Sequence, residues 1–320
     1  MKKSLVCGAG GFIGSHLVKR LKESGHWVMG VDLKYPEFSA TYADDFKQAD
    51  LRDQTVCCDI FKLHFDEVYQ LAADMGGAEY IGSGDYDSKV INNSVLINAN
   101  VASFYNQYDK LFFSSSACIY PTYNQETTDT PVCVEGTEYP AFPDGEYGWE
   151  KLFSERMYLT QIRGYGKKIK IARFHNIFGP EGTWSGVKAK SMAAICRKVA
   201  QAKEGGTVDI FGDGKQTRTF LHINDCLDAV TLLMASSESG PFNIGSEEMV
   251  SINDLAYLVA KIAKKNIVIQ HIAGPQGVRG RTSDNTLVFK KLGWKPKLSL
   301  HEGATDVYNW ISEQLKKEKI

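Results

Sequence analysis

Gly8-Ala9-Gly10-Gly11-Phe12-Ile13-Gly14 decides how this chain is read. A short apolar run, Ser4-Leu5-Val6-Cys7, stands before it, and apolar residues recur at helical spacing after it through Phe12, Leu17, Val18 and Leu21. The stretch is therefore a glycine turn between a strand and a helix. Gly25 and His26 end that helix, and Trp27 to Val31 reads as a second strand with Asp32 at its carboxyl end. In such a βαβ unit Gly8 permits the tight turn, Gly11 lets a pyrophosphate approach the backbone, and Gly14 allows close helix packing. The helix N-terminus at Phe12 and Ile13 then faces the phosphates. An acidic residue about 20 positions on completes a dinucleotide site. Asp32 can accept both ribose hydroxyls and would repel a 2′-phosphate, which points to NAD, while nearby Lys34 keeps NADP open. Asp50-Leu51-Arg52 offers a second carboxylate for the adenine amino group, although alone the tripeptide reads as a surface turn.

Outward from this unit, apolar runs at 67–73, 111–115 and 169–174 alternate with helical stretches at about 88–106 and 146–164. This predicts an α/β fold, a Rossmann-type doubly wound parallel sheet covered by helices on both faces. After Gly179-Pro180 the texture changes to glycine-rich loops, a basic helix near 188–203 and Phe211-Gly212-Asp213-Gly214. A helical pattern at 219–235, a short strand at 241–244 and helices at about 252–264 and 300–317 close the chain. The expected division is a dinucleotide-binding domain of residues 1–178 and 216–243 and a smaller C-terminal substrate domain of 179–215 and 244–320, packed around a cleft.

Among 320 residues, 37 Lys plus Arg face 38 Asp plus Glu, so the net charge of -1 gives no global attraction for nucleic acid or an anionic membrane. No apolar run approaches the roughly 20 residues that span a bilayer, and no export segment is read at the start. The 7 cysteines are scattered and include the adjacent Cys57 and Cys58, so a reducing, cytoplasmic setting is expected. No ligand spacing suggests a metal.

Tyr147 and Lys151 lie four residues apart on a predicted helix and project from one face. A nearby ammonium lowers a phenol's pKa and fits tyrosine to act as a base toward a sugar hydroxyl. The bland alternative is an exposed helix face. Ser114-Ser115-Ser116 at the end of an apolar strand and the glycine loop give the pair its company. Together these motifs resemble the extended short-chain dehydrogenase/reductases. That resemblance implies that Tyr147 is the acid-base, that Lys151 also holds the nicotinamide ribose, and that Ser116 orients the substrate hydroxyl.

A narrower resemblance, to the GDP-mannose 3,5-epimerases within that family, rests on six segments: Ala72-Ala73-Asp74-Met75-Gly76-Gly77, Ser115-Ser116-Ala117-Cys118-Ile119-Tyr120-Pro121, Arg173-Phe174-His175-Asn176, Gly182-Thr183-Trp184, Gly212-Asp213-Gly214-Lys215-Gln216-Thr217-Arg218 and Gly277-Val278-Arg279-Gly280-Arg281. It implies a GDP-sugar substrate, a homodimer and tightly bound NAD that oxidises carbon 4, so that carbons 3 and 5 exchange protons before re-reduction. Cys118 stands where related dehydratases and decarboxylases carry glutamate, and is a proton carrier by this resemblance. The second acid-base maps to Lys190, with Ala189 and Met192 departing from the family's glutamate and proline. The competing reading leaves Lys188 and Lys190 solvating a basic helix. For the diphosphate Arg218 and Arg279 are the leading residues, since a guanidinium donates two parallel hydrogen bonds, and Arg281 is a weaker one. Asn176 and Gln216 carry neutral donors for phosphate or sugar oxygens, or merely cap loops, and His175 reads as structural. The alternatives are a nucleotide-sugar 4,6-dehydratase, a 4-epimerase and a catalytically silent NAD-sensing partner protein.

Overall fold

The computed structural model describes residues 1–318, so positions 319–320 of the expected C-terminal domain lie outside the described residues. β1 (Lys3–Cys7), α1 (Phe12–Glu23) and β2 (Trp27–Asp32) form the opening βαβ unit. Next come β3 (Asp45–Gln48), α2 (Gln54–Ile60), β4 (Phe65–Gln70), α3 (Ala78–Ile81), α4 (Asp87–Ser103), β5 (Tyr108–Ser116), α5 (Gly145–Tyr165) and β6 (Lys168–Phe174). The chain continues through β7 (Ile177–Phe178), α6 (Ser191–Gln201), β8 (Gly206–Phe211), β9 (Thr217–Thr219), β10 (Leu221–His222), α7 (Ile223–Ala235) and β11 (Phe242–Ile244). It ends with β12 (Met249–Ser251), α8 (Ile252–Ala263), β13 (Ile267–Ile272), β14 (Gly280–Arg281), α9 (Thr286–Leu292) and α10 (Leu300–Lys317).

Seven parallel strands make the central sheet in the order β11-β6-β5-β4-β1-β2-β3. This is the doubly wound Rossmann-type sheet expected from the alternation of runs. Apolar side chains bury both faces: Val6, Tyr69 and Phe112 pack under α1 and α7, and Leu5, Val68 and Phe113 pack under α4 and α5. A separate core gathers α6, α8 and α10 around Ile195, Val199, Leu255 and Val307.

Several boundaries differ from the sequence reading for local reasons. β4 stops at Gln70 because Leu71 and Ala72 turn beneath the glycine loop, where a Cβ on Gly8 would lie 2.9 Å from the Ala72 nitrogen. The pattern at 219–235 divides, since its first residues are short strands and the helix starts at Ile223. Lys188 and Lys190 precede α6, with Lys190 at its N-cap. α9 also departs from the domain boundary: Val288 and, just beyond it, Trp294 are buried in the central-sheet core, although the expected boundary put them in the smaller domain. β3 and α2 escaped the sequence reading because both are short and β3 is half-exposed at the sheet edge.

Candidate active site

The sheet order reverses between β1 and β4, so the loops leaving these two strands diverge and open a crevice at their carboxyl ends. The crevice is a cleft of about 1410 Å³, bounded on one side by the central sheet and on the other by the segment before α6, β9 and β14. Ordinary ligand pockets span roughly 300–1,000 Å³, so this volume suits two ligands side by side.

The dinucleotide end is built by the glycine loop. Gly8 has φ of 86°, and a Cβ on Gly14 would sit 1.9 Å from the Gly8 oxygen, so both positions require glycine for the chain's own packing. Gly11 is different: no protein atom comes nearer than 3.4 Å to where its Cβ would be. As N-cap of α1 it supplies no side-chain acceptor, so the N–H groups at Phe12 and Ile13 open on the cleft beside a backbone that a pyrophosphate can approach. Asp32 lines the same end, accepting from Gly10 N at 3.0 Å and Lys34 N at 3.2 Å, while burial pushes its carboxyl upward. The residues present therefore fit NAD. Asp50 also lines the cleft but is clamped by the Arg52 guanidinium at 2.6 Å, which holds it below the usual carboxylate range, and the Leu51 side chain is buried.

Ser116, Cys118, Tyr147 and Lys151 meet at the centre of the cleft. β5 delivers Ser116, whose hydroxyl accepts from Cys118 N at 3.1 Å and caps the 3-10 turn Ala117–Ile119. Its capping role and its place in the site thus coexist. α5 brings Tyr147 and Lys151 from the other side, and Gly148 permits the approach: a Cβ there would fall 2.2 Å from the Cys118 oxygen. Lys151 is 2% exposed and donates to Ser114 O at 3.0 Å, with its ammonium 5.7 Å from the Tyr147 ring centre. Burial lowers the Lys151 pKa, opposed by Glu150 and Glu155. The expected depression of the phenol is not found. Burial pushes Tyr147 well above its ordinary value, aided by Cys118 and Glu150, and the Ser116 hydroxyl and Arg281 only partly oppose this. Enclosure among Tyr80, Val90 and Cys118 accounts for the desolvation that raises the phenol.

On the facing wall the two lysines separate. Lys188 pairs with Asp74 at 3.0 Å and stands 4.1 Å over the Tyr80 ring. Lys190 also lines the cleft, and among the described residues its ammonium has no hydrogen-bond or ion-pair partner; burial lowers its pKa and Cys118 opposes that shift. The solvated-helix reading therefore does not describe Lys190. Arg218 lines the cleft, donates to Thr217 O and Gln276 O, and has no carboxylate partner among the described residues, so burial lowers its pKa to about 10. Arg279 does not join it: its guanidinium pairs with Asp213 at 3.0 Å, outside the cleft lining. Arg281, two residues on, lines the cleft instead, drawn inward by Gln125, Cys118 and Asp144.

Gln216 Nε2 donates to Phe211 O at 3.2 Å and leaves the buried Oε1 unpartnered, so the amide presents an acceptor instead of the expected donor. Asn176 holds φ of 44° and donates to Thr219 O at 2.9 Å, shaping its loop while lining the cleft. His175 is wholly buried against Asn243. The sequence reading missed Gly148, Asp144 and Gly77. Gly148 directly follows Tyr147, and Asp144 just precedes the helix, so both had a positional signal. Gly77, at the N-cap of α3, had only its place in a matching segment: its Cβ would lie 2.1 Å from the Ala189 oxygen, on the segment before α6.

Comparison with known proteins agrees with this architecture. Residues 4–245 match the model of the NAD dependent epimerase/dehydratase family. GDP-mannose 3,5-epimerase of Arabidopsis thaliana is 42% identical over 99% of this chain and 84% of its own, and GDP-mannose 3,5-epimerase 1 of Oryza sativa subsp. japonica is 41% identical over 98% and 82%. Among solved structures, UDP-glucose 4-epimerase of Thermotoga maritima superposes with a TM-score of 0.82 at 27% identity, covering 98% of this chain and 99% of that one. On the extent of the family match and the near full-length likeness to these relatives, the chain belongs to the NAD dependent epimerase/dehydratase family.

Proposed function

We propose that this protein is an NAD-dependent epimerase of a GDP-linked mannose-type sugar. One observation carries the reading beyond family membership: the Lys190 ammonium, without a partner among the described residues, and the Cys118 thiol line the same cleft on separate segments of the chain, with Tyr147. Inversion needs a proton removed from one face of a carbon and another delivered to the opposite face, which requires two groups. NAD held by the glycine loop and Asp32 would supply the hydride acceptor and donor for carbon 4 of the sugar. Tyr147 takes the carbon 4 hydroxyl proton as the ketone forms, in the phenolate form that Ser116 and Arg281 favour against burial, and gives it back at the end. Cys118 removes the acidified proton beside the ketone, at carbon 5 or carbon 3, and Lys190 donates from the other side. Arg218 is the cation suited to the diphosphate, with Gln216 and Asn176 beside it; Arg279 would act on this grip only by holding its loop.

The division into a dinucleotide-binding and a nucleotide-sugar-binding domain is part of this proposal, with α9 moved to the first. A homodimer is supported by Leu96 on α4 and Trp149 and Phe153 on α5, which stand 48%, 41% and 53% exposed on adjacent helices. A cytoplasmic setting is supported by seven unbridged cysteines. Among the described residues no helix is long and apolar enough to cross a membrane. The deciding experiment incubates the NAD-loaded protein with a panel of GDP- and UDP-sugars in deuterated water. The proposal expects a GDP-mannose-type product that gains deuterium at carbon 5 or 3 with inversion there. Loss of water would favour a 4,6-dehydratase, inversion confined to carbon 4 a 4-epimerase, and no turnover of any sugar an NAD-sensing protein.

A further inference from the structure

Arg281 is 6% exposed, and three of its N–H groups are committed within the protein. Nε donates to Gln125 Oε1 at 2.6 Å, Nη2 to Asp144 Oδ2 at 2.7 Å, and Nη1 to the Cys118 sulfur at 3.1 Å. Its delivery is built into the fold. β14 runs parallel to β9 with Arg281 opposite Arg218, and a Cβ on Gly280 would sit 1.9 Å from the Thr127 oxygen, so only glycine lets the strand come this close to the sheet-side wall. The turn that holds Cys118 is fixed independently, through the Ser116 hydroxyl at Cys118 N and the Cys118 oxygen at Asp144 N, 3.0 Å away.

The sulfur therefore faces a fixed donor, and the role of acceptor toward a guanidinium is one a thiolate fills far better than a thiol. Asp144 and Gln125 orient the fork without removing the hydrogen bond to sulfur, and Arg218 remains for the diphosphate. We propose that Arg281 is the positioning residue for Cys118, holding the sulfur in one place as the acceptor for proton removal. This deepens the epimerase reading and rests on it, since Arg281 serves the proton transfer through its hydrogen bond to Cys118.

The test compares wild type with Arg281→Met and Arg281→Lys, all loaded with NAD. Iodoacetamide labelling mapped by peptide mass reads Cys118 directly, and exposed Cys58 serves as the internal control. In Arg281→Met, Cys118 labelling at neutral pH should fall by about tenfold while Cys58 keeps its rate. With GDP-mannose, the same variant should still show transient reduced nicotinamide yet lose most deuterium uptake, and Arg281→Lys should recover part of both signals. Wild-type labelling and exchange in a folded Arg281→Met would overturn the proposal. Should the methionine variant fail to fold, wild-type values in Arg281→Lys would overturn it equally, because a single ammonium does not reproduce the fork. Undiminished exchange in Cys118→Ala would instead reject Cys118 as the proton carrier, an outcome that labelling of the Arg281 variants distinguishes.

Discussion

The two walls of the cleft are made differently. Ser116, Cys118, Tyr147 and Lys151 sit at the end of a nine-residue strand and on a 21-residue helix, secured by the parallel sheet. Lys190, Arg218 and Arg281 sit before a helix or on strands of two or three residues, outside the central sheet, and the backbone before Lys190 is held by contacts such as Gly77 against Ala189 and Lys188 against Asp74. In the proposed mechanism the first wall carries the oxidation and the Cys118 thiol. The second supplies Lys190 and the guanidinium of Arg218. A rigid frame with adaptable facing loops is how one scaffold supports several sugar chemistries.

The largest break in the comparison should come from the rigid wall. Tyr147→Phe removes the proton acceptor for carbon 4 oxidation, so turnover should fall by about 10²–10⁴-fold, with no transient reduced nicotinamide in stopped-flow absorbance. Gly77→Ala probes the other wall at its weakest support. Its methyl would strike the Ala189 oxygen and displace Lys190, so epimerisation should fall by up to about 10²-fold while reduced nicotinamide still forms. Loss of both signals would mean that the walls are not independent. An effect of similar size, on cofactor binding rather than turnover, should come from Asp32→Ala, outside both walls. It should weaken NAD by about 1.5–3 kcal/mol in calorimetry and leave NADP little changed. Equal weakening of the two dinucleotides would remove Asp32 from the ribose.

The same contrast explains what could be read before the fold was known. Glycine spacing, strand ends and Tyr147 with Lys151 are local patterns, so the sheet and the rigid wall were legible in the residues themselves. Cys118 and Lys190 were reached through resemblance alone. That Arg279 pairs with Asp213 while Arg281 lines the cleft was not legible, because the partners that separate two like arginines lie far along the chain. Gly148 and Gly77 matter through backbone approaches of 2.2 and 2.1 Å to residues far along the chain, which no local pattern reports. The phenol was misjudged because the ammonium is visible in sequence, whereas the enclosure that raises the phenol is not.

The central claim is that two groups on opposite walls divide the proton transfer. It is tested most directly by following deuterium from solvent into GDP-mannose in parallel with inversion, for NAD-loaded Cys118→Ala and Lys190→Ala. Cys118→Ala should oxidise carbon 4 but take up no deuterium at the neighbouring carbons. Lys190→Ala should take up some deuterium and return it largely to the original face, so that exchange outruns inversion. Carbon 4 should keep its own hydrogen in both. Matching behaviour of the two variants, or undiminished exchange with inversion in either, would contradict the account.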